Sequence, residues 1–296
     1  MNSPTPSGDQ PRFSLCGLAF PDTTLEQDIE IAREIGAEGL GIDERKLGDR
    51  DPEWAAELLA AAGLSATICV PEVMSFLPGP HMQDPADPEE RIQAVTRGIE
   101  RLSKLDPAAV FCISGPLGDL SPEEARRITV EGLKRAHAAA EDAGVPLCFE
   151  PFRRVEPNDW SHVYGIEDAL EILDDADASD VGICYDVWHL WDSSDEIVEL
   201  TRRHANRVSG VQLSDYREPT RSWQDRVLPG DGVIDLPALL KALREGGFDG
   251  WYDLEVFSDD GRFGDDYPDS VWKLPPVEIA RRGRQGFLDA WAKSFD

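Results

Sequence analysis

The chain has 296 residues, enough for one large domain or two small ones, and a hydrophobic content of 41% that is typical of a globular protein. It carries 58 acidic and 29 basic residues, so its net charge is −29. A surface this acidic repels phosphate backbones and anionic headgroups, which argues against nucleic-acid and membrane-surface functions. No apolar run reaches the ~20 residues of a membrane span. The start of the chain lacks the pattern of a secretory signal, so we expect no secretion.

The cysteines indicate the redox environment. There are 5, they lie within short apolar runs, and none forms a C-x-x-C pair. This pattern favours small buried side chains in a reducing, cytoplasmic compartment over disulfides or a zinc site.

Short apolar runs alternate with longer amphipathic segments along the chain. Runs such as AVFCI and VPLCFE are hydrophobic almost throughout, which is typical of strands buried on both faces of a parallel sheet. Between them, Thr24 and Gln27 have the spacing of a capping box, and Asp51 and Ser121 each precede a proline at the start of a predicted helix. The predicted strands are 13–20, 38–43, 65–70, 108–113, 145–150, 181–186, 207–213 and 251–257.

Eight strand–helix units in about 250 residues are typical of a (β/α)8 barrel. A doubly wound sheet is the alternative, but about six strands would suffice for it and no G-x-G-x-x-G follows the first strand. We therefore predict an α/β protein with a single (β/α)8 (TIM) barrel domain over 12–296. We expect a disordered lead-in over 1–11, an insertion at about 72–88 and a C-terminal extension from about 258.

Oxygen-bearing side chains lie at the ends of four neighbouring strands. Glu150 ends the fifth strand, Asp186 ends the sixth, and Gln212 and Glu255 lie in the seventh and eighth. Catalytic groups of such barrels lie at these carboxyl ends. Three clustered carboxylates would raise one another's pKa unless a cation lies among them. Oxygen donors suit a hard cation such as Mn²⁺ or Mg²⁺. The alternative is a set of solvated or salt-bridged strand-end residues.

The segments CFEPF, GICYDVWH, GVQLSD and LPGDGVIDLPALLKALREGGFDGWYDLEVFS, in this order, resemble the xylose isomerase-like sugar isomerase/epimerase superfamily. The resemblance implies a (β/α)8 barrel with one divalent metal, Mn²⁺ first and Mg²⁺ or Co²⁺ as alternatives. It implies Glu150, Asp186, Gln212 and Glu255 as the metal ligands. Gln212 departs from the histidine of the sugar epimerases, whereas members resembling inosose dehydratases and hydroxypyruvate isomerases can carry glutamine there.

The resemblance also implies roles for residues around the metal. Glu150 and Glu255 would move the substrate proton, and His189, in the D-x-x-H pattern, would lie at the substrate. Glu156 matches a substrate-binding glutamate of the ketose 3-epimerases, and Arg217 and Arg226 are candidates for holding substrate oxygens. The other four histidines receive no role, and Trp160 is among the tryptophans that could line a sugar pocket.

The leading functional hypothesis is a metal-dependent isomerase or epimerase of a sugar or polyol ketone, acting through a metal-bound enediolate. The same intermediate can lose a group, so a lyase or dehydratase of inosose or 3-keto glycoside type is the alternative. A third hypothesis is an inactive barrel that serves as a binding subunit. We expect a small carbohydrate as the partner, without nucleic acid or membrane; the exact substrate and a homo-oligomeric state are left open.

Overall fold

The hydrophobic runs of the sequence form a parallel sheet that curves into a barrel. The structure is a computed structural model that describes residues 10–82, 85–154 and 160–295. Within these residues the sheet order is β3-β2-β1-β11-β8-β7-β6-β5-β4. Its two end strands, β3 and β4, are separated along the chain by Thr67 alone, which brings the edges of the sheet together. The strands are β1 Arg12–Cys16, β2 Gly39–Gly41, β3 Ser65–Ala66, β4 Ile68–Cys69, β5 Ala109–Cys112, β6 Leu147–Phe149, β7 Gly182–Asp186, β8 Val208–Leu213, β9 Asp215–Tyr216, β10 Arg226–Val227 and β11 Trp251–Leu254.

Helices follow the barrel strands and cover the outside of the sheet. The Thr24 capping box is confirmed, since the Thr24 hydroxyl accepts from the Gln27 amide at 3.4 Å and the Gln27 side chain accepts from the Thr24 amide at 2.9 Å. The caps at Asp51 and Ser121 are confirmed as well. The helices are α1 Leu25–Ile35, α2 Pro52–Ala62, α3 Pro88–Leu102, α4 Pro122–Ala143, α5 Gly165–Asp175, α6 Val187–Leu190, α7 Ile197–His204, α8 Leu236–Glu245 and α9 Pro276–Lys293.

The barrel prediction is confirmed, with β3 and β4 together forming its third strand. The main apolar core lies between sheet and helices, and a smaller cluster that includes Ile68, Phe111 and Cys184 forms a second core. All five cysteines are buried and free, as predicted. Among the described residues, no helix is both long and apolar enough to cross a membrane.

The segments outside the strand–helix units have identifiable positions. Residues 1–9 of the predicted disordered lead-in lie outside the described residues. The predicted insertion corresponds to the connection between β4 and α3, where the buried Arg91 donates to the carbonyl oxygens of Ser75 at 3.0 Å and Pro85 at 2.8 Å. The predicted C-terminal extension contains α9, which packs against α1 and α8. This helix therefore belongs to the helical layer, and the domain boundaries stay a prediction.

A short hairpin between β8 and α8 was not predicted. Its strands β9 and β10 pair antiparallel, with Tyr216 opposite Arg226. The Asp215 carboxylate accepts from the amides of Gly230 at 2.9 Å and Ile234 at 3.0 Å, which fixes the turn after β10. The buried Asp225 accepts from Arg217 and Arg221, which lie in the loop between β9 and β10. These bonds position Arg226 at the carboxyl end of the barrel.

Candidate metal and active site

The four predicted ligands come together at the carboxyl ends of the barrel strands. Glu150 directly follows β6, Asp186 ends β7, Gln212 lies in β8 and Glu255 directly follows β11. Parallel pairing places Asp186 opposite Gln212. All four residues are at most 4% exposed. A buried carboxylate is costly unless it is paired or bound to a metal, so the partners of these groups decide what the site can do.

The amide of Gln212 donates one hydrogen bond and accepts none from the described residues. Its Nε2 donates to Glu255 Oε1 at 2.8 Å. Its Oε1 is buried and has no hydrogen-bond partner among the described residues. A buried acceptor without a partner costs about 1–3 kcal/mol. An amide oxygen is also a suitable ligand for a hard cation, so this atom is available for one.

Arg226 supplies the positive charge of the site. Its Nη1 donates to Asp186 Oδ2 at 2.7 Å and to Glu255 Oε2 at 3.2 Å. The guanidinium carbon lies 4.9 Å from the centre of the Trp188 ring, within cation–π distance. The other oxygen of Asp186 accepts from the Trp188 amide at 2.8 Å at the start of α6. The arginine is therefore held by two carboxylates and a ring.

His189 lies on α6 beside this arginine. Its Nε2 is 3.2 Å from Arg226 Nη2. A guanidinium only donates hydrogen bonds, so Nε2 accepts and carries no proton. Burial, reinforced by the charges of Arg226 and Arg153, lowers the pKa of His189 well below its ordinary value, which keeps the ring neutral. One ring nitrogen of His189 and one oxygen each of Glu150 and Asp186 lie within 4.8 Å of one another, close enough to share a metal ion.

Burial and the repulsion between neighbouring carboxylates raise the pKa of the carboxyl groups in the site. Burial, followed by the charges of Asp186 and Glu255, raises the pKa of Glu150 well above its ordinary value. Burial raises the pKa of Glu255 to about 8, although Arg226 opposes the shift. Burial also raises the pKa of Asp186 against the effect of Arg226. Both glutamates are therefore groups that can hold a proton near neutral pH.

The charges and donor atoms fit a divalent cation. If all three carboxyl groups are ionised, the Arg226 guanidinium and the neutral imidazole leave a net charge of −2, which a divalent cation would balance. The donors are carboxylate oxygens and the unpartnered Gln212 Oε1, with the His189 nitrogen nearby. Such a set suits Mn²⁺, Mg²⁺ or a borderline ion such as zinc rather than a thiolate-bound metal.

A cavity of about 200 Å³ opens above these residues. Its polar end consists of Glu150, Glu255, His189 and Arg226. The remaining described lining residues are Leu18, Arg45, Met74, His81, Phe111, Ile113, Phe152, Trp160, Trp223, Phe257 and Phe263. A small molecule in this cavity therefore contacts both glutamates, the histidine and the arginine at one end.

Three of the remaining sequence predictions have different outcomes. Arg217 pairs with Asp225 at 3.0 Å and Asp269 at 2.9 Å and is not among the described lining residues, so the structure does not bring it to the cavity. Glu156 lies outside the described residues. His81 was given no role from the sequence but lines the cavity, where its ring stacks on Trp160 at 5.7 Å.

Sequence reasoning also missed Arg45, Trp223 and Phe263 as lining residues. The two aromatic residues follow predicted strands seven and eight, where loops of a barrel contribute to its active site. Their position after these strands was therefore the sequence signal that could have predicted them as lining residues.

The parallel sheet and its helices define a TIM barrel, and the polar cluster lies at the carboxyl ends of its strands. A family model described as a xylose isomerase-like TIM barrel matches residues 29–290. The chain belongs to this family, as its sequence resemblance implied.

Two curated relatives show the range of reactions among similar proteins. The chain is 27% identical to an inosose dehydratase of Geobacillus thermodenitrificans over 49% of its own length and 52% of the relative's. It is 25% identical to a hydroxypyruvate isomerase of Escherichia coli over 58% of its length and 64% of the relative's. The matched part thus spans less than two thirds of either relative.

A solved structure shows the same fold over nearly the whole chain. The IOLI protein, crystallised with a bound zinc atom, has a TM-score of 0.76 and 20% identity, and the match covers 96% of this chain and 99% of that one. Similar proteins therefore include isomerases and dehydratases, and one neighbour in fold binds a divalent metal.

Proposed function

We propose that this protein is a divalent-metal-dependent isomerase or epimerase of a sugar or polyol ketone. The observation that carries the proposal is the buried cluster of three carboxyl groups and one guanidinium, next to an amide oxygen without a partner in the described chain. Ionisation of all three carboxyl groups would leave a net charge of −2, which a divalent cation would balance. Glu150, Asp186, Gln212 and Glu255 would hold the cation, with Mn²⁺ preferred because all four donors are oxygens. When bound, the cation would act as a Lewis acid that polarises the substrate carbonyl.

The two glutamates are suited to moving the substrate proton. Both glutamates line the cavity. Glu255 follows β11 and Glu150 follows β6, so the strands β8 and β7, which carry Gln212 and Asp186, lie between them. A general base or acid works best when its pKa lies near the working pH, and burial raises the pKa of both groups. One glutamate removes the proton from the carbon next to the carbonyl, and the other returns a proton to the neighbouring carbon or to the opposite face.

Arg226 and His189 would orient the substrate at this end of the cavity. Arg226 donates to Asp186 and Glu255 in the structure, and its Nε has no partner among the described residues. A substrate oxygen can accept from such a donor. The neutral His189 can exchange a hydrogen bond with a substrate hydroxyl without adding charge. These contacts fix which carbon faces the glutamates.

A dehydratase or lyase is the second candidate, because the relatives of this chain include both reaction types. The two curated relatives reported above are an inosose dehydratase and a hydroxypyruvate isomerase. If the substrate carries a leaving group next to the deprotonated carbon, the same proton removal expels that group.

Solvent-deuterium exchange tests both candidates. Purified protein with Mn²⁺ in D₂O is incubated with ketoses, inososes and 3-keto glycosides, and the products are analysed by NMR and mass spectrometry. Deuterium in a rearranged product of unchanged composition supports the isomerase, whereas loss of water or of the glycosidic group supports the lyase.

Two variants control this assay. Glu255→Gln is expected to abolish exchange, whereas Glu57→Gln, at an exposed position of α2, is expected to retain it. Bound metal without exchange on any of these substrates would favour an inactive binding barrel and refute the proposal.

A further inference from the structure

The cavity differs chemically between its inner and outer parts. The inner end carries the carboxylates, His189 and Arg226. In the outer part, Arg45 and His81 are the ionisable residues among the described lining, and no hydroxyl, amide or carboxylate side chain joins them there. Arg45 is already held by Asp43 through bonds of 2.9 Å from both Nε and Nη2. The described residues of the outer part therefore offer mainly carbon surface to a ligand.

Four rings surround the mouth of the cavity. We call His81, Trp160, Trp223 and Phe263 the mouth cluster; they come from four separate loops, which follow β4, β6, β9 and β11. The ring centres of Trp160 and Trp223 are 4.9 Å apart, and those of Trp223 and Phe263 are 5.4 Å apart, both edge to face. His81 contacts the other three rings of the cluster. The loops thus converge to place aromatic faces and edges at the entrance.

The mouth cluster is incompletely covered by the described chain. Phe263 is 42% exposed although it packs against other rings. Contiguous apolar surface at the rim of a cavity can mark a ligand-binding groove, and here the exposed ring joins three other rings that line the cavity. The cavity volume of about 200 Å³ is below the roughly 300–1,000 Å³ that encloses a drug-sized ligand. A ligand larger than a simple sugar would therefore extend from the inner end onto these rings.

A free polyol is a poor match for this outer part. Hydroxyl groups that leave water need hydrogen-bond partners, and the described lining of the outer part supplies few. A flat apolar group needs none, and it gains edge-to-face or stacked contacts with the rings. The carbon surface and the exposed ring thus select for an aromatic group beyond the polar part of the substrate.

We propose that the substrate is a keto sugar that bears an aryl substituent, an aryl glycoside, whose sugar lies at the inner end and whose aryl ring packs against the mouth cluster. The sugar end of this proposal rests on the proposed function. The aryl end depends on the lining and exposure of the mouth cluster alone.

Binding to the chelator-treated, full-length protein tests the aryl position without catalysis. Phenyl and methyl 3-keto-β-D-glucoside are titrated by calorimetry. We expect the phenyl compound to bind at least about tenfold tighter, with a more negative heat-capacity change. Equal affinities, or no measurable binding of the phenyl compound at millimolar concentration, would overturn the proposal.

Variants at the mouth locate the preference. Phe263→Ala is expected to lower the phenyl-to-methyl affinity ratio about threefold or more, and because this residue is partly exposed the fold is expected to tolerate the change. Trp223→Ala is a second variant that is expected to lower the same phenyl-to-methyl affinity ratio, and circular dichroism verifies that it folds. Phe295→Ala is the matched control, since this phenylalanine is 46% exposed but does not line the cavity. A ratio that Phe263→Ala leaves unchanged would refute the role of the mouth cluster.

The two proposals fail in different ways. If the phenyl preference and its loss in Phe263→Ala are observed but no deuterium exchange occurs with Mn²⁺, the aryl position stands and the isomerase function falls. If exchange occurs on free ketoses and the phenyl preference is absent, the isomerase function stands and the aryl glycoside is refuted.

Discussion

Gln212→Leu distinguishes a cation ligand from an ordinary core glutamine. In the metal-free protein the substitution removes the bond from Nε2 to Glu255, 2.8 Å long, which is worth about 0.5–1.5 kcal/mol. It also removes Oε1, which has no partner in the described chain and costs about 1–3 kcal/mol when buried. Loss of the hydrogen bond lowers the unfolding free energy, whereas loss of the unpartnered oxygen raises it. We therefore expect the metal-free variant to lose no more than about 1 kcal/mol of unfolding free energy.

The metal-bound protein is expected to respond much more strongly. At a Mn²⁺ concentration of about 100 Kd, binding adds about 2.7 kcal/mol to the stability of the wild type. Removing a hydrogen-bond partner of a metal ligand already lowers affinity about 10–100-fold, so loss of a ligand is expected to cost at least about a hundredfold. At the same Mn²⁺ concentration the variant would then gain only about 0.4 kcal/mol.

Urea unfolding in EDTA and in MnCl₂, together with metal analysis of the purified protein, measures both effects. Tyr252→Phe is the matched control: it removes another buried oxygen that has no partner among the described residues, but Tyr252 packs between Phe248 and Phe287, away from the cavity. This control is expected to retain the full Mn²⁺ stabilisation. A Gln212→Leu variant that retains it too, or that loses more than about 3 kcal/mol without metal, would show that Gln212 is a structural core residue.

The barrel could be predicted because its signals are local. The run AVFC forms β5 at Ala109–Cys112, and the Thr24 cap begins α1, each within a few residues of the sequence expectation. Predicted strands were longer than observed ones; the first prediction extended to residue 20, whereas β1 ends at Cys16 and a short 3-10 helix follows. Apolar residues continue past a strand when they line the barrel end, so hydrophobicity alone does not mark where pairing stops.

The four candidate ligands were found because parallel strands bring their carboxyl ends to one edge. The charge partner of these residues was harder to predict. Arg226 reaches Asp186 and Glu255 from a hairpin whose strands have two residues each. Strands this short have no periodicity, and the hairpin depends on Asp215 and Asp225 accepting bonds from residues four to nineteen positions away. The sequence therefore indicated Arg226 as a substrate residue but not as an ion-pair partner of the carboxylates.

Three residues of the mouth cluster were missed for a related reason, whereas Trp160 was among the tryptophans expected to be able to line a sugar pocket. His81, Trp160, Trp223 and Phe263 are single aromatic residues in four loops, and only the closed barrel brings neighbouring ring centres to distances of 4.9 to 6.4 Å. Nothing in the local sequence of one loop indicates the other three. Specificity contacts on loops therefore required the structure, whereas the strand-end ligands did not.

The remaining predictions concern the charges of the site. EDTA is expected to abolish deuterium exchange and Mn²⁺ to restore it, and exchange that is insensitive to chelation would contradict the metal site. Burial raises the pKa of Glu255 to about 8 in the folded, metal-free protein, so between about pH 5 and 8 the folded state binds more protons than the unfolded chain and this group's stabilisation is lost as the pH rises. Glu255→Gln is expected to flatten that decline, and superimposable pH–stability profiles would contradict the shift. Arg226→Met removes the cation that donates to Asp186 and Glu255. Loss of one partner from a buried ion pair costs about 3–5 kcal/mol, so the metal-free variant is expected to be less stable. Its site, however, has one more uncompensated negative charge, so Mn²⁺ is expected to bind at least about tenfold tighter while substrate turnover is lost. Arg126→Met, which breaks ion pairs with Glu171 and Asp175 on the outer helices, is the control and is expected to leave Mn²⁺ affinity unchanged. Weaker Mn²⁺ binding by Arg226→Met would mean that the guanidinium organises the carboxylates rather than competing with the cation for them.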